Sequence, residues 1–309
     1  MNTVRFLVFA DLHYYPGVFY SKGLESLDVF YKRAVDAKAD AIIELGDFVH
    51  GVRMFPEIIE KANEAPLPFY HSIGNHETDN AYLEEVLEAY KMPSNYYYFD
   101  LKGFRFIDID TNYYAHDGGF THFQFRNYFD FPNSRETLPP EQIEWMEDAI
   151  QTAPGPCILI SHASLEQQTN GAVRNHKEIM EIIRRANANG RKVMMSLNGH
   201  HHRDFLAFLE NTPFFDVNSA TFDWLSVGHE CFPEELRKQY ELIGHQVIWD
   251  APLSAIVTVS DDGTIDIQGA SSSYYLGISP EVSGNGRHFN TAGRPCTANI
   301  LSANFKVQM

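Results

Sequence analysis

Five short apolar runs in this chain each break off at an aspartate, an asparagine or a histidine, and that recurrence constrains the fold more than any other feature. Residues 4–10 run into DLH, 41–45 into GDFVH, 68–73 into GNHE, 157–160 into SHAS and 193–197 into NGHHH. Apolar runs of this length read as buried strands. Further strands are expected at 96–100, 104–110, 205–209 and 214–217, with a hairpin over 255–268 turning at DDGT. Between them the period lengthens to that of helices. Leu24, Leu27, Tyr31, Ala34 and Val35 share one face. Ile143, Met146, Ala149 and Ile150 form a second, opened by Pro139 and Pro140, and Ile179, Ile182, Ile183 and Ala186 form a third, closed by Gly190. The alternation predicts an α/β fold with helices covering both faces of the sheet layer.

In such folds the carboxyl ends of the strands converge on one crevice. The five endings therefore bring Asp11, His13, Asp47, Asn75, His76, His162, His200 and His202 into one neighbourhood. Each alone has an ordinary explanation, since an Asp after a strand commonly caps a helix or forms a turn. Eight together do not. Imidazole with carboxylate suits Mn, Fe or Zn, whereas Mg or Ca alone would be held almost wholly by oxygen. Eight groups exceed the coordination of one ion, so two divalent metal ions are implied, sharing a carboxylate at a separation of about 3.5–4 Å.

Composition narrows the partners. With 24 Lys and Arg against 41 Asp and Glu among 309 residues, the formal charge of −17 argues against a general nucleic-acid or anionic-membrane binder. The three cysteines lack a CxxC pair, which fits a reducing compartment. The first apolar run is too short for a signal peptide or a membrane span, so a soluble, cytoplasmic protein is expected. One domain over 1–270 is expected, with 271–309 an extension packing on it and a last strand near 303–307. Residues 112–135 form a long aromatic loop, a length that points to function. Its rings suit either a nucleobase platform or packed core.

The five blocks, in this order, resemble the calcineurin-like metallophosphoesterase superfamily, whose pattern is D-x-H, G-D-x-x, G-N-H-[ED], a lone His after a strand, and G-H-x-H. The segment LPPEQIEWMEDAI is similar to the Gln-x-x-Trp helix of the cyclic-nucleotide phosphodiesterase and purple-acid-phosphatase-like branches. The resemblance spans 11–202 and implies a four-layer α/β/β/α sandwich of two mixed sheets flanked by helices. It implies Asp11, His13 and His202 on one metal, Asn75, His162 and His200 on the other, and Asp47 between them. Asp47, Asn75 and His76 become the catalytic set, with His76 protonating the leaving group and a hydroxide bridging the ions as nucleophile. In GHHH the outer histidines are thus ligands. His201 is expected to face solvent, and Gly199 to permit a sharp turn.

One position departs from the pattern. His50 stands where many members carry an Asp that orients the leaving-group histidine and the purple acid phosphatases carry a Tyr. A Tyr-bound ferric centre is therefore not expected, and Glu77 and Asp79 are the substitutes for the missing carboxylate. The resemblance implies hydrolysis of a small phosphomonoester or a nucleotide phosphodiester. The alternatives are a Mre11-like nuclease, against which the acid excess speaks, and a non-catalytic metal-binding scaffold of the same fold, against which the filled ligand positions speak.

Overall fold

The apolar runs that end in polar residues become strands of two sheets rather than one. The computed structural model describes residues 2–166, 171–190, 193–283 and 295–308. Its strands are β1 (Thr3–Phe9), β2 (Ala41–Glu44), β3 (Phe69–His71), β4 (Tyr97–Leu101), β5 (Phe104–Ile109), β6 (Tyr113–His116), β7 (Gly119–His122), β8 (Cys157–Ser161), β9 (Val193–Asn198), β10 (Phe205–Leu209), β11 (Thr212–Asp216), β12 (Phe222–Trp224), β13 (Gln246–Ile248), β14 (Ala255–Ser260), β15 (Thr264–Gly269) and β16 (Ala303–Lys306). The helices are α1 (Gly23–Asp36), α2 (Pro56–Asn63), α3 (Leu83–Tyr90), α4 (Pro140–Gln151), α5 (His176–Ala188) and α6 (Glu234–Gln239).

The first sheet runs β16-β15-β14-β1-β2-β3 and the second β10-β11-β9-β8-β5-β4. The motif-bearing strands pair in parallel, β1 with β2 and β2 with β3 in one sheet, β5 with β8 and β8 with β9 in the other. Antiparallel strands complete the edges, so both sheets are mixed.

Side-chain alternation along the strands builds the layers. Val4, Phe6 and Val8 of β1 point into the core between the sheets, against Phe104, Phe106, Ile158 and Ile160. Leu7 and Phe9 point the other way, onto Leu27 and Phe30 of α1, Ile58 of α2 and Val86 of α3. In the second sheet Cys157 and Leu159 of β8 face Met146 of α4 and Ile183 of α5. The order is therefore helices, sheet, sheet, helices, the four-layer α/β/β/α sandwich.

Several elements differ from the sequence reading for local reasons. β11 begins at Thr212 rather than at residue 214, because Glu210 and Asn211 take left-handed backbone and close a two-residue hairpin with β10. Pro213 is tolerated because the pairing with β9 starts only at Phe214. Residues 112–135 are not a plain loop: Asp117 and Gly118 turn a second hairpin, β6–β7. The short helices α2 and α3 span only eight residues each, too few for a clear period.

After β15 the chain returns to the sandwich. Cys296, Ala298, Ile300 and Val307 enter the inter-sheet core, and β16 pairs with β15. Among the described residues no helix is long and apolar enough to cross a membrane.

Candidate metal centre

The carboxyl ends of β1, β2 and β3 from one sheet and of β8 and β9 from the other meet at a single rim. Backbone hydrogen bonds continue past the strand ends and fix the loops there. Asp11 N–H donates to the Gly46 carbonyl (3.0 Å), His13 N–H to Asp47 (2.8 Å) and Gly199 N–H to His162 (3.1 Å). The His200 N–H reaches the Asp11 carboxylate at 3.0 Å, joining the two sheets. Asp11, His13, Asp47, His200 and His202 all hold positive φ, between 45° and 65°. For non-glycine residues that conformation costs about 1–2 kcal/mol each, and such strain persists where the surroundings over-determine it, commonly at functional sites. Gly199 serves by its size, not by a turn: it is not among the positive-φ residues, and a Cβ there would lie 2.7 Å from both Asp11 Oδ2 and Ala10 Cβ.

Three sets of donors result: His13, His50 and His76 form one of imidazoles alone, and the other two include a carboxylate. Asp11, His13 and His202 form one, with His13 Nε2 2.9 Å from His202 Nε2 and His202 Nε2 3.5 Å from Asp11 Oδ1. Asp47, His162 and His200 form the other, with His162 Nε2 3.2 Å from Asp47 Oδ2 and 3.1 Å from His200 Nδ1. Asp47 Oδ2 lies between these two sets, also 3.9 Å from His13 Nε2. Asn75 sits beside them in the GNHE loop, its side-chain oxygen buried without a hydrogen-bond partner. His76 is partly open to solvent, its side chain 21% exposed, with Nε2 3.9 Å from Asp47 Oδ2.

The protonation states are polarised. Burial disfavours charge on His162, but Asp47 beside it pushes the imidazole up to about 9. Burial likewise opposes charge on His202, and Asp11 pushes it up to about 10. Burial keeps His13 and His200 neutral, and their partner imidazoles add to the effect. Burial pushes the Asp47 carboxyl up, yet His162, His76 and His13 hold it well below the ordinary carboxylate range.

Surrounding groups orient the donors, as they do around metal ligands generally. His162 Nδ1 bonds the Leu45 carbonyl (2.8 Å), which leaves Nε2 toward Asp47. His202 Nδ1 faces Asp223 at 3.4 Å. Asp223, on the three-residue strand β12, escaped the sequence reading because no motif surrounds it. His13 Nδ1 meets His50 Nε2 at 2.9 Å.

The choice between Glu77 and Asp79 is resolved by geometry. Asp79 Oδ2 accepts from His76 Nδ1 at 2.9 Å, and His50 Nδ1 stands 3.4 Å from the same oxygen. Tyr128 donates to Asp79 Oδ1 at 2.8 Å. Glu77 instead gathers backbone N–H groups, Phe48 at 2.6 Å, Gly74 at 2.8 Å and Asp47 at 3.2 Å. It clamps the two loops that carry Asp47 and Asn75. Glu77→Ala is therefore expected to leave these buried donors unpaired and lower stability by about 3 kcal/mol or more, read as a shift in urea midpoint.

The expectation for His201 needs correction. His201 is 3% exposed rather than solvent-facing and packs edge-on against His200. Tyr14 is buried and bonds Glu57, whereas Tyr15 stacks on His50. In the aromatic segment Tyr114, Phe123 and Tyr128 pack as core, while Phe120, Phe125, Phe129 and Phe131 are exposed. His122 is held by Asp110 (2.7 Å) and His116 by Thr121 (3.0 Å). His71 bonds Glu44, and His288 lies outside the described residues. The Gln-x-x-Trp helix is structural, since Gln142 accepts from the Asp110 N–H and donates to its carbonyl, both at 2.8 Å, pinning the end of β5.

The residues present suit divalent cations. Imidazole nitrogens face one another at 2.9 and 3.1 Å, carboxylates stand beside both pairs, and the Asn75 oxygen, next in the chain to His76, is buried without a hydrogen-bond partner. Comparison with solved structures bears on the fold. A dimetal phosphatase from Danio rerio shares the fold with a TM-score of 0.63 at 13% identity, over 87% of this chain and 96% of that one. GAP50, the anchor in the inner membrane complex of Plasmodium, shares it with a TM-score of 0.58 at 10% identity, over 100% of this chain and 90% of that one. A search of curated proteins returns no match. The profile of the calcineurin-like phosphoesterases matches residues 4–204, well over half of the chain, and with the fold and the paired donor sets in place the protein belongs to that family.

Proposed function

We propose that the chain is a dinuclear metal-dependent phosphoesterase that hydrolyses a small phosphomonoester or a nucleotide phosphodiester. The observation that carries this reading is the position of Asp47 Oδ2, 3.2 Å from His162 Nε2 and 3.9 Å from His13 Nε2, between two donor sets. In it, Asp11, His13 and His202 hold one ion, Asn75, His162 and His200 the other, and Asp47 both. Divalent ions of the Mn, Fe or Zn type supply Lewis acidity toward phosphoryl oxygens and make water acidic enough to ionise near neutral pH.

The chain's own groups do the rest. The Asn75 amide stands at the rim to hold a phosphoryl oxygen. Asp79 on Nδ1 fixes the His76 ring, so that Nε2 turns to the Asp47 side of the rim. Burial disfavours the imidazolium, but Asp47 and Asp79 raise its pKa above the ordinary histidine value. His76 is thus placed and charged to donate a proton from Nε2 to the departing oxygen. Its partial exposure gives a substrate access to that nitrogen.

The test is reconstitution of metal-stripped protein with Mn, Zn, Fe or Mg singly, followed by assay on p-nitrophenyl phosphate, bis-p-nitrophenyl phosphate, cyclic AMP and single-stranded DNA. Turnover of at least one small ester, absent in the stripped protein, is expected. Inactivity with every metal would favour a non-catalytic scaffold, and cleavage of DNA alone would favour a nuclease.

A further inference from the structure

The 112–135 segment meets the site at Asp79. The Phe125 N–H donates to the Thr78 carbonyl (2.8 Å), stitching the segment to the GNHE loop. Phe125 and Arg126 then both take left-handed backbone, φ 47° and 62°, a conformation two adjacent non-glycine residues hold only under constraint. Its result is that Arg126 and Tyr128 both land on Asp79, Arg126 Nε at 3.1 Å from Oδ2 and the Tyr128 hydroxyl at 2.8 Å from Oδ1.

Tyr128 and His76 already partner Asp79, so the carboxylate does not require an arginine. Arg126 differs from these partners in being 50% exposed. A guanidinium carries five N–H donors in a planar fork matched to phosphate, more than one carboxylate contact uses. The same oxygen, Asp79 Oδ2, accepts from His76 at 2.9 Å. The cation therefore stands one carboxylate away from the group assigned to protonate the departing oxygen. Next to it Phe125, 48% exposed, packs edge-on against Tyr82, 51% exposed, with ring centroids 4.8 Å apart. A fixed cation with exposed flat rings beside it, on a chain of net charge −17, is a local arrangement for an anionic ligand that carries a planar group.

We propose that Arg126 determines specificity by gripping a phosphate on the departing portion of the substrate, which makes nucleoside diphosphates, cleaved at the terminal phosphate, the preferred class. The inference rests on the phosphoesterase reading above. In this reaction a water oxygen bonds to the terminal phosphorus and the bond from that phosphorus to the bridging oxygen breaks. The electron pair stays on the departing nucleoside monophosphate, whose oxygen takes the His76 proton; one water proton remains on the new phosphate and the other passes through solvent to restore His76. Arg126 opposes the charge that gathers on that departing phosphate.

The test uses Mn-loaded full-length protein, with ADP and p-nitrophenyl phosphate as substrates and AMP as the probe of the departing group. Arg126→Ala is expected to lower the ratio of kcat/KM for ADP over p-nitrophenyl phosphate by about tenfold or more, the scale of one charge-assisted contact. Arg126→Lys is expected to lose most of that ratio as well, because one ammonium cannot face Asp79 and also fork onto a phosphate. If Arg126 merely steadied Asp79 and His76, both substrates would slow alike and the ratio would stand, which overturns the proposal. Calorimetric titration with AMP judges it apart from turnover: about tenfold weaker binding to Arg126→Ala supports it, and unchanged binding, or no binding to the wild type, overturns it. Failure of the wild type to hydrolyse any phosphoester would sink the phosphoesterase reading, while the AMP titration would still decide whether Arg126 holds this anion.

Discussion

Asp47→Ala will leave the protein folded but strip it of metal and activity. The carboxylate is the group shared by both donor sets, with Oδ2 at 3.2 Å from His162 Nε2 and 3.9 Å from His13 Nε2. Its other oxygen accepts the His76 N–H at 2.9 Å, so the same side chain also places the proton donor. Without it two imidazole pairs remain with no anion between them, and a second cation entering would meet the unscreened charge of the first. Bound metal should fall from two ions per chain to fewer than one after dialysis. Activity should fall by at least about 10³-fold, which corresponds to about 4 kcal/mol of lost transition-state stabilisation. The fold should survive the loss of the His76 N–H contact, because Glu77 still clamps the loop that carries Asp47 through the backbone N–H groups of Asp47 and Phe48. Asp47→Asn, which keeps the shape and removes the charge, should behave in the same way if charge is what matters. Retention of two ions by either variant would contradict the shared role.

His76→Ala should separate chemistry from metal binding. His76 Nδ1 is held by Asp79, and its ring stacks on His50 with centroids 4.0 Å apart, so the imidazole is supported from the protein side with Nε2 toward the rim. Loss of a positioned general acid typically costs about 10²–10⁴-fold. The loss should depend on the departing group. Alkyl phosphates, whose alkoxide needs a proton, should show the full effect, whereas p-nitrophenolate departs readily unprotonated and should show about tenfold or less. Metal content should remain at two ions per chain. A uniform loss over both ester classes, or a loss of metal, would reassign His76 from proton donor to ligand.

The part of the site that lies at strand ends was legible because it follows from two short-range regularities. A strand buried on both faces is a run of apolar residues, and the residue after it stands at the rim whatever the remainder of the fold does. That logic placed Asp11, Asp47, His162 and His200 without reference to which strand neighbours which. The residues around them were not legible in this way, since their positions depend on pairing across long separations. Asp223 reaches His202 only because β12 pairs with β13, two three-residue strands that carry no pattern of their own. Glu77 and Asp79 flank the same loop two residues apart, and the sequence offers no reason to prefer either as the partner of His76. Backbone N–H groups from a neighbouring strand end claim Glu77, which leaves Asp79 for the imidazole. His201 lies inside although its place between two ligands suggests an outward side chain, because the backbone is left-handed at both His200 and His202. The aromatic segment divides in the same manner: Tyr128 is core and support for Asp79, while Phe125 and its neighbours stay outside, a split that depends on the 125–128 backbone and not on residue type.

Crystals of protein reconstituted with Mn and measured at the metal absorption edge would test the shared site most directly. Two anomalous peaks about 3.5–4 Å apart are predicted, one against Asp11, His13 and His202, the other against Asn75, His162 and His200, with the Asp47 carboxylate between them. A single peak at full loading, or two peaks that do not share Asp47, would contradict it.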